Sequence, residues 1–459
     1  MSELDVDVAI VGGGCAGALA ALHLVRDSRW PRRVSLIERR AQIAEGIAYS
    51  TQDLEHRLNV RAAGMTAFPD RPEDFATWAA AHGRYAGHDF VPRRQYAEYL
   101  RQRLQEASDG RVATIHDEAV TATRLPTGGW LLQLASGRRI TASRVVLAVG
   151  FPPTSRSAPF DAVRVDDPRL VTDPFNLERL SAVAGPEPIA IVGTGLTAID
   201  SILTLKRVGQ TGPIHAISRR GLWPQAHAAS EAWSLRFDPA NPPSSTVELL
   251  RAVRRDASAA ESEHGNWRSV IDALRPWTQS IWQSLSMTER RRFLRHLRPY
   301  WDVHRHRMAP DVWERIAGWV GSGAVVLHRA RVRSVGVDTQ HLHLVLQRSE
   351  DRDMSSLPVA GLVLAMGVDE DYRKHPSPLI QSLIRDGNAV PHPLSLGLRT
   401  APDGELLDQD GRVVDGLMTI GTVRKGDLWE STAVPELRVQ AARLAEHLTR
   451  QKGAGPESE

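Results

Sequence analysis

The chain contains very little cysteine, with Cys15 as the single example in 459 residues. One cysteine cannot form an intramolecular disulfide, and it excludes flavin enzymes that work through a redox-active cysteine pair. Cys15 lies among the glycines of a Gly-rich segment. Its expected role there is a small buried side chain rather than a nucleophile, because free cysteines are usually buried and inert.

Long apolar runs are also missing. No stretch approaches the roughly 18 apolar residues that a membrane-spanning helix needs, and the N-terminus lacks the charged and apolar regions of a signal peptide. The net charge of +3 is too small to indicate nucleic-acid binding. We therefore expect a cytoplasmic protein of two or three domains with a small-molecule substrate, and we predict no metal site, membrane contact or nucleic-acid partner.

The first nucleotide-binding motif begins almost at the N-terminus. Residues 6–11 form an apolar run typical of a buried parallel strand, and Gly12-x-Gly14-x-x-Gly17 then opens a helix. A second strand at 34–37 ends in Glu38, where dinucleotide-binding folds place a carboxylate against a ribose hydroxyl. The cofactor-binding residues predicted in this motif are Gly12, Gly14, Cys15, Ala16, Gly17, Glu38 and Arg39.

A second motif of the same kind lies at residues 188–200, with Ala198 in place of the third glycine. Its second strand, 214–218, ends in Ser218-Arg219-Arg220 rather than in an acid. A hydroxyl and two guanidiniums suit the 2′-phosphate of NADP, so the pattern favours NADPH over NADH unless these arginines are only surface charges. The cofactor-binding residues predicted here are Gly193, Gly195, Leu196, Thr197, Ser218, Arg219 and Arg220.

Two such motifs predict FAD at the first and NADPH as co-substrate at the second, with NADH as the alternative. The fold class is α/β with two Rossmann-like domains. We predict a discontinuous FAD domain at 1–155 and 385–450, an NADP domain at 186–384 with a helical insertion at 243–320, and a disordered tail at 452–459. Neither motif contains the GxxxxGK[ST] lysine of a phosphoryl-transfer site.

Glycines mark where the chain leaves and re-enters these domains. One apolar strand ends at Gly150. In the second domain an apolar strand at 359–367 ends at Gly367, and a last strand ends at Gly421. A helix then follows Val434 and Pro435. We expect its N-terminus to face the pyrimidine edge of the flavin, where it would stabilise negative charge.

The insertion at 243–320 holds six of the twelve tryptophans. Val270, Leu274, Trp277, Ile281 and Leu285 follow helical spacing, which predicts a helical layer over the flavin. Its tryptophans are either core residues or ligand stackers. Residues 289–307 carry seven arginines, which form either a solvated helix face or an element that faces an anion.

Several segments make the chain resemble two-dinucleotide-domain flavoproteins of the FAD-NAD(P)-binding type, which are distantly related to class B flavin monooxygenases. Within this group the resemblance is to urate hydroxylases. It implies FAD, NAD(P)H as reductant, C4a-hydroperoxyflavin as the oxygenating species, and urate converted to 5-hydroxyisourate. The FxGxxxHxxxW fingerprint of Baeyer–Villiger enzymes is absent. The segments that carry the resemblance are 45–51, 58–60 with 68–70, 218–221 with His227, 300–307 and 430–438.

The resemblance also implies candidate donors or bases for an anionic, planar substrate: Tyr49, Asn59, His227, Arg305 and Glu436. Each has a purely structural alternative. Tyr49 and Asn59 could shape the flavin pocket, and His227 could be a packed histidine. Arg305 could pair with Asp302, and Glu436 could cap its helix.

Three other functions remain open beside urate hydroxylation. The first is N-hydroxylation of an amine or amino acid, and the second is electron transfer to a protein partner. The third, a redox-sensing module without turnover, is disfavoured because a sensor does not need a second site for a hydride donor.

Overall fold

The computed structural model describes residues 3–26, 33–152, 158–349 and 353–450, so the predicted disordered tail lies outside the described residues. The described strands are β1 (Glu3–Val11), β2 (Val34–Ile37), β3 (Val112–Ile115), β4 (Ala119–Arg124), β5 (Trp130–Leu134), β6 (Arg139–Leu147), β7 (Leu170–Val171), β8 (Ile189–Val192), β9 (Ile214–Ser218), β10 (Val325–Val337), β11 (Leu342–Arg348), β12 (Met354–Val359), β13 (Gly361–Leu364), β14 (Glu405–Leu407) and β15 (Val413–Thr419).

The helices of the same residues vary widely in length, and none of them is long and apolar enough to cross a bilayer. They are α1 (Cys15–Arg26), α2 (Asp74–Gly83), α3 (Arg93–Ser108), α4 (Leu177–Val183), α5 (Leu196–Arg207), α6 (Thr246–His264), α7 (Arg268–Leu274), α8 (Thr278–Ser284), α9 (Met287–His296), α10 (Arg298–Arg305), α11 (Pro310–Gly321), α12 (Pro378–Arg385), α13 (Lys425–Leu428) and α14 (Val434–Arg450).

The first sheet is built around the N-terminal motif. Its order is β14-β15-β6-β1-β2-β3, and β15, β6, β1, β2 and β3 run parallel. Strands β4 and β5 extend β6 as an antiparallel hairpin. Every residue of β2 is buried, as expected for a parallel strand covered on both faces. Helices α1, α3 and α14 cover one face, and α12 packs with the other.

The second sheet repeats this arrangement. Its order is β12-β11-β10-β9-β8-β13-β7, in which β10, β9, β8, β13 and β7 run parallel. In each sheet the strand before the glycines, β1 or β8, lies between its second strand, β2 or β9, and an exit strand, β6 or β13. This is the predicted α/β fold with two dinucleotide-binding sheets.

Some elements differ from the sequence prediction. The exit strand predicted at 359–367 is two strands, β12 and β13, separated at Ala360, whose N–H donates to Pro188 O at 2.8 Å. Strand β10 is the longest strand of the described residues, and its register against β11 is irregular between Val332 and Ser334. Strand β7 and helix α4 come from 156–185, which the prediction assigned to neither domain.

The chain from 372 to 385 also lies elsewhere than predicted. Tyr372, Leu379, Ile380 and Leu383 are buried in the core of the first sheet, although the prediction placed them at the end of the second domain. The chain therefore already packs on the first sheet at Tyr372, before the predicted boundary at 384. The domain boundaries stay a prediction.

Helices α6–α11 form the helical insertion between β9 and β10. The continuous helical pattern predicted through 270–285 is broken, because Arg275–Trp277 forms a 3-10 turn between α7 and α8. Trp277 is 38% exposed there, whereas Leu274 and Ile281 are buried. Leu274 and Ile281 belong to a small separate core, so the insertion is a packed helical layer in its own right.

Candidate cofactor and substrate site

The turn between β1 and α1 leaves no room for side chains. Gly12 has φ of +100°, and a Cβ there would lie 2.5 Å from Ala148 O. A Cβ on Gly17 would lie 1.9 Å from Gly12 O. The glycines are therefore required for the close approach of α1 to the ends of β1 and β6, which is the geometry of a dinucleotide cradle.

Glu38 is bound to this turn. Its Oε2 accepts a hydrogen bond from Gly13 N at 2.8 Å and its Oε1 accepts one from Arg40 N at 3.0 Å. The side chain is buried, at 8% exposed, while Arg39 points outward with its guanidinium 3.8 Å from Glu118. Glu38 thus holds the end of β2 against the glycine turn, at the position predicted for ribose binding.

Cys15 and Tyr49 contact each other beside the turn. Burial raises the pKa of the Cys15 thiol to about 12, and a hydrogen bond with Tyr49 opposes this only in part. Burial also raises the pKa of Tyr49 well above its usual value, and the Tyr49 ring lies 5.1 Å from that of Tyr96. Cys15 therefore stays a thiol at neutral pH. Tyr49 is buried between Cys15 and Tyr96, and its role in the site stays a prediction.

The C-terminal part of the chain returns to the same turn. A Cβ on Gly421 would lie 3.3 Å from Ala16 Cβ and 3.3 Å from Leu437 Cδ2. Helix α14 starts at Val434, with Pro435 in its first turn. The turn therefore lies close to several other predicted cofactor-binding residues: Ala16, Gly421, Val434 and Pro435. At the end of β6, Gly150 O accepts a hydrogen bond from the Tyr372 hydroxyl at 2.9 Å.

The second cradle has the same construction. Gly193 has φ of +116°, and a Cβ there would lie 2.1 Å from Ala365 O. Thr194 Oγ1 and Gly221 N both donate to Ser218 Oγ, at 3.0 and 3.1 Å. Ser218 is the last residue of β9, and its hydroxyl therefore joins the turn after β8 to the turn after β9.

The remaining residues predicted in this motif border open space. Leu196 and Thr197 begin α5, and a Cβ on Gly195 or on Gly367 would meet nothing within 4 Å. Arg219 and Arg220 are exposed at the end of β9. The Arg220 guanidinium lies 5.8 Å from the centre of the Tyr300 ring, so the insertion reaches the second cradle.

A buried charge cluster, defined as Arg275, Arg305, Glu430 and Glu436, lies between the insertion and the start of α14. Arg305 Nη2 is 3.7 Å from both Glu430 Oε2 and Glu436 Oε1. Arg275 binds Glu436 through two hydrogen bonds of 2.9 and 3.2 Å. Asp302, the alternative partner of Arg305, pairs instead with Arg298 at 3.5 Å. Glu436 lies in the first turn of α14 and binds an arginine of the insertion.

Arg305 is incompletely satisfied in this cluster. It is 7% exposed, and its Nε and Nη2 have no hydrogen-bond partner. Burial lowers its pKa despite the opposing charge of Glu430. Burial would raise the pKa of Glu430, but the charges of Arg305 and His306 and a hydrogen bond from Trp301 lower it overall. Glu430 is therefore ionised at neutral pH.

His227 and Asn59 meet where the two halves of the molecule contact each other. His227 Nε2 lies 3.0 Å from the backbone oxygen of Asn59. Since a carbonyl only accepts, Nε2 carries the proton and Nδ1 is the acceptor. Burial, together with the charge of Arg307, lowers the pKa of His227 to about 4. The residue is neutral at pH 7, and it contacts Asn59 through the main chain rather than the amide.

Sequence reasoning missed several members of this region. Glu430 and Trp301 lie within the segments that carry the family resemblance, so a signal for them existed. Arg275 has no such signal, because its partner is 161 positions away. In the arginine-rich segment 289–307, Arg291 and Arg295 are exposed, whereas Arg305 and Arg307 are buried against carboxylates of the protein. An anion facing this segment stays a prediction.

Comparison with known proteins agrees with this geometry. Residues 9–152 match a family model described as FAD-NAD(P)-binding, which bears out the predicted FAD and NADP(H) cofactors. No curated protein sequence matches the chain significantly.

Solved structures match over nearly the whole chain. The reduced ornithine hydroxylase of Pseudomonas aeruginosa is 17% identical with a TM-score of 0.67, covering 98% of this chain and 100% of that one. The ornithine N-hydroxylase of Kutzneria sp. 744, solved with reduced FAD, NADP+ and L-ornithine, is 17% identical with a TM-score of 0.65 over 98% and 100%. The FAD-bound cadaverine monooxygenase of Erwinia amylovora is 12% identical with a TM-score of 0.61 over 99% and 96%. The chain therefore has the fold of these flavoproteins, with two dinucleotide-binding sheets.

Proposed function

We propose that the protein is an FAD-dependent, NADPH-consuming monooxygenase that hydroxylates the nitrogen of an amine. The observation that carries this proposal is the pair of equivalent cradles in one chain, Gly12 against Ala148 and Gly193 against Ala365. A single enzyme needs both when one cofactor supplies hydride to the other. The single cysteine supports oxygenation over dithiol chemistry, which requires a cysteine pair.

The residues at the two cradles suit different cofactors. Gly12, Gly14 and Gly17 would admit the FAD pyrophosphate, with Glu38 at the ribose and the start of α14 at the flavin ring. At the second cradle, the open space at Gly195 would admit the NADPH pyrophosphate. Arg219 and Arg220 would pair with its 2′-phosphate.

The net reaction is R–NH2 + O2 + NADPH + H+ → R–NHOH + H2O + NADP+. The bound flavin would accept hydride from the nicotinamide and deliver one oxygen atom of O2 to the substrate. The protein must keep water out and hold the amine as a neutral nucleophile. The His227 Nδ1 atom, an acceptor at neutral pH, can receive an N–H of the substrate. The helical insertion would supply the cover that keeps water away from the flavin.

The charges of the site favour an amine over an anion. Arg275 is occupied by Glu436 and Arg307 by Asp272, and Arg305 faces two carboxylates, so each of these three arginines already shares its charge with an acid of the protein. The three solved structures described above are named for ornithine and cadaverine chemistry, which supports the same choice. Urate, implied by the sequence resemblance, is the rival substrate.

The test measures NADPH oxidation, hydrogen peroxide and product mass together, using purified protein saturated with FAD. Ornithine, lysine, cadaverine, further primary amines and urate are compared under the same conditions. We expect at least one amine to stimulate NADPH oxidation and to give a product 16 mass units heavier that reacts as a hydroxylamine. Parallel assays of the Arg219→Ala/Arg220→Ala double variant test whether the second cradle feeds the reaction.

Different results would assign different functions. Formation of 5-hydroxyisourate with no amine product would establish urate hydroxylation instead. Hydrogen peroxide in equal amount to the NADPH consumed, with every compound, would indicate an oxidase or a reductase that serves a protein partner. Failure of the protein to bind FAD would overturn the proposal altogether.

A further inference from the structure

The helical insertion forms a cavity whose lining includes no residue of either cradle. Its volume is about 460 Å³, and helices α6–α10 and Trp429 line it. Small-molecule sites commonly have volumes of about 300–1,000 Å³. The cavity is therefore large enough for a substrate or for the greater part of one.

The walls of the cavity are apolar and aromatic. Trp267, Trp282, Trp301 and Trp429 contribute indole rings, and Leu274 and Ile281 contribute aliphatic side chains. The Trp282 and Trp429 rings stack with centroids 5.1 Å apart. Walls of this kind hold water poorly and bind flat apolar groups through area burial and ring stacking.

Two of these tryptophans connect the cavity to the buried charge cluster. Trp301 lines the cavity while its Nε1–H donates to Glu430 Oε1 at 3.0 Å. Trp301 thus forms part of the cavity wall and also binds Glu430, which belongs to the charge cluster and does not line the cavity.

The backbone at Trp429 is strained in a way that favours this arrangement. Trp429 has φ of +61° and ψ of −75°, a region that residues with side chains rarely adopt. The conformation directs the Trp429 ring into the cavity while the next residue, Glu430, enters the charge cluster. Such strain persists where surrounding structure enforces it, most often at functional sites.

We propose that this cavity binds the aromatic body of the amine substrate, beside the Trp301–Glu430 pair that joins the insertion to the start of α14. The expected hydroxylation of this substrate rests on the proposed function, whereas its expected binding in the cavity does not. It defines the substrate class as amines with a large aromatic group. Small charged amines, such as ornithine or cadaverine, would leave the cavity unfilled and would gain nothing from its walls.

A matched pair of amines tests this directly. Cadaverine and N-dansylcadaverine share the same aminopentyl group, but only the second carries an aromatic body, whose emission shifts to the blue in an apolar site. With the FAD-loaded protein, we expect N-dansylcadaverine to bind with a blue shift. We also expect its hydroxylation to have a kcat/KM at least tenfold above that of cadaverine.

Variants locate the binding site. Ala257 lines the cavity on α6, so Ala257→Phe fills it; Ser258→Phe adds the same ring at an exposed position that does not line it. We expect Ala257→Phe to weaken N-dansylcadaverine binding at least tenfold and Ser258→Phe to leave it unchanged. If Ala257→Phe fails to fold, Leu250→Gln, at a half-buried lining position, gives a second variant with the same expected direction.

The outcomes separate this inference from the proposed function. Equal binding of N-dansylcadaverine to the Ala257→Phe and Ser258→Phe variants, or a higher kcat/KM for cadaverine, would overturn the inference while leaving N-hydroxylation intact. Cavity-dependent binding without any hydroxylated product from either amine would support the cavity as a site for aromatic amines and would overturn the proposed reaction.

Discussion

Trp301 and Glu430, 129 positions apart in the chain, are joined by a hydrogen bond of 3.0 Å from the indole N–H to the carboxylate. This contact binds the helical insertion to the segment that precedes α14. The Glu430 carboxylate also balances the buried positive charge of Arg305. Glu430 therefore contributes to the free energy of unfolding both through its hydrogen bond and through its charge, and mutations can separate the two.

The Glu430→Gln variant keeps an acceptor for Trp301 and removes the charge. We expect it to lower the free energy of unfolding by about 2 kcal/mol, because Arg305 is left with Glu436 alone. Glu430→Ala should cost about 1 kcal/mol more, since the indole N–H then loses its partner as well. Urea denaturation measures the loss of stability in both variants.

The control is Glu446→Gln, which breaks an exposed pair with Arg450 and should change little. If the Glu430→Gln variant were as stable as the wild-type protein, the charge of Glu430 would contribute nothing to stability.

The glycines of the two cradles should respond differently to alanine. Gly17→Ala places a Cβ 1.9 Å from Gly12 O, so α1 must move and we expect the purified protein to lose its FAD. Gly195→Ala meets no atom within 4 Å and has φ of −77°. It should therefore keep its FAD and its melting temperature but raise the KM for NADPH. The flavin absorbance per protein and steady-state kinetics are the measurements, and FAD retention by Gly17→Ala would contradict the cradle assignment.

Removing both arginines at the end of β9 should change coenzyme preference. We expect Arg219→Ala/Arg220→Ala to raise the KM for NADPH roughly tenfold to a hundredfold, the range for lost hydrogen bonds to a charged group, with little effect on NADH. Arg412→Ala, an exposed arginine paired with Asp410, is the control. An equal increase for both coenzymes would refute the 2′-phosphate site.

His306 should make stability depend on pH. Burial lowers its pKa from 6.5 to about 4, against the charge of Glu430. Between these values the unfolded chain binds a proton that the folded chain does not, so stability is full above pH 6.5 and falls as the pH decreases towards 4. The slope for this residue reaches at most about 1.4 kcal/mol per pH unit.

Melting temperatures from pH 8 to pH 4 test this for wild type, His306→Gln and His88→Gln. We expect the first variant to show a shallower decline than wild type. His88, with a side chain 79% exposed, is the matched control and should leave the profile unchanged. A His306→Gln profile parallel to that of wild type would be inconsistent with a buried neutral histidine.

Local sequence patterns predicted the elements of both cradles because their causes are local. The apolar run at 189–192 forms β8, and the glycines at 12 and 17 follow from a tight turn with no space for Cβ atoms. The sequence prediction was wrong where contacts between residues distant in the chain determine the structure. The helical spacing at 270–285 is interrupted by the 3-10 turn at Pro276, and Trp277 is exposed despite its position in the pattern. The apolar residues of α12 pack on the first sheet, a choice of partner that periodicity does not encode.

The sequence by itself determined the two βαβ units, their glycine turns, and the different chemistry at the ends of β2 and β9, since each depends on residues within about thirty positions of one another. Only the tertiary structure decided that Arg305 faces Glu430 and Glu436 rather than Asp302, and that four tryptophans surround one cavity beside that cluster. The physical reason is that buried charges and aromatic rings select partners by proximity after the chain has packed. That proximity joins residues more than a hundred positions apart, such as Trp301 and Glu430.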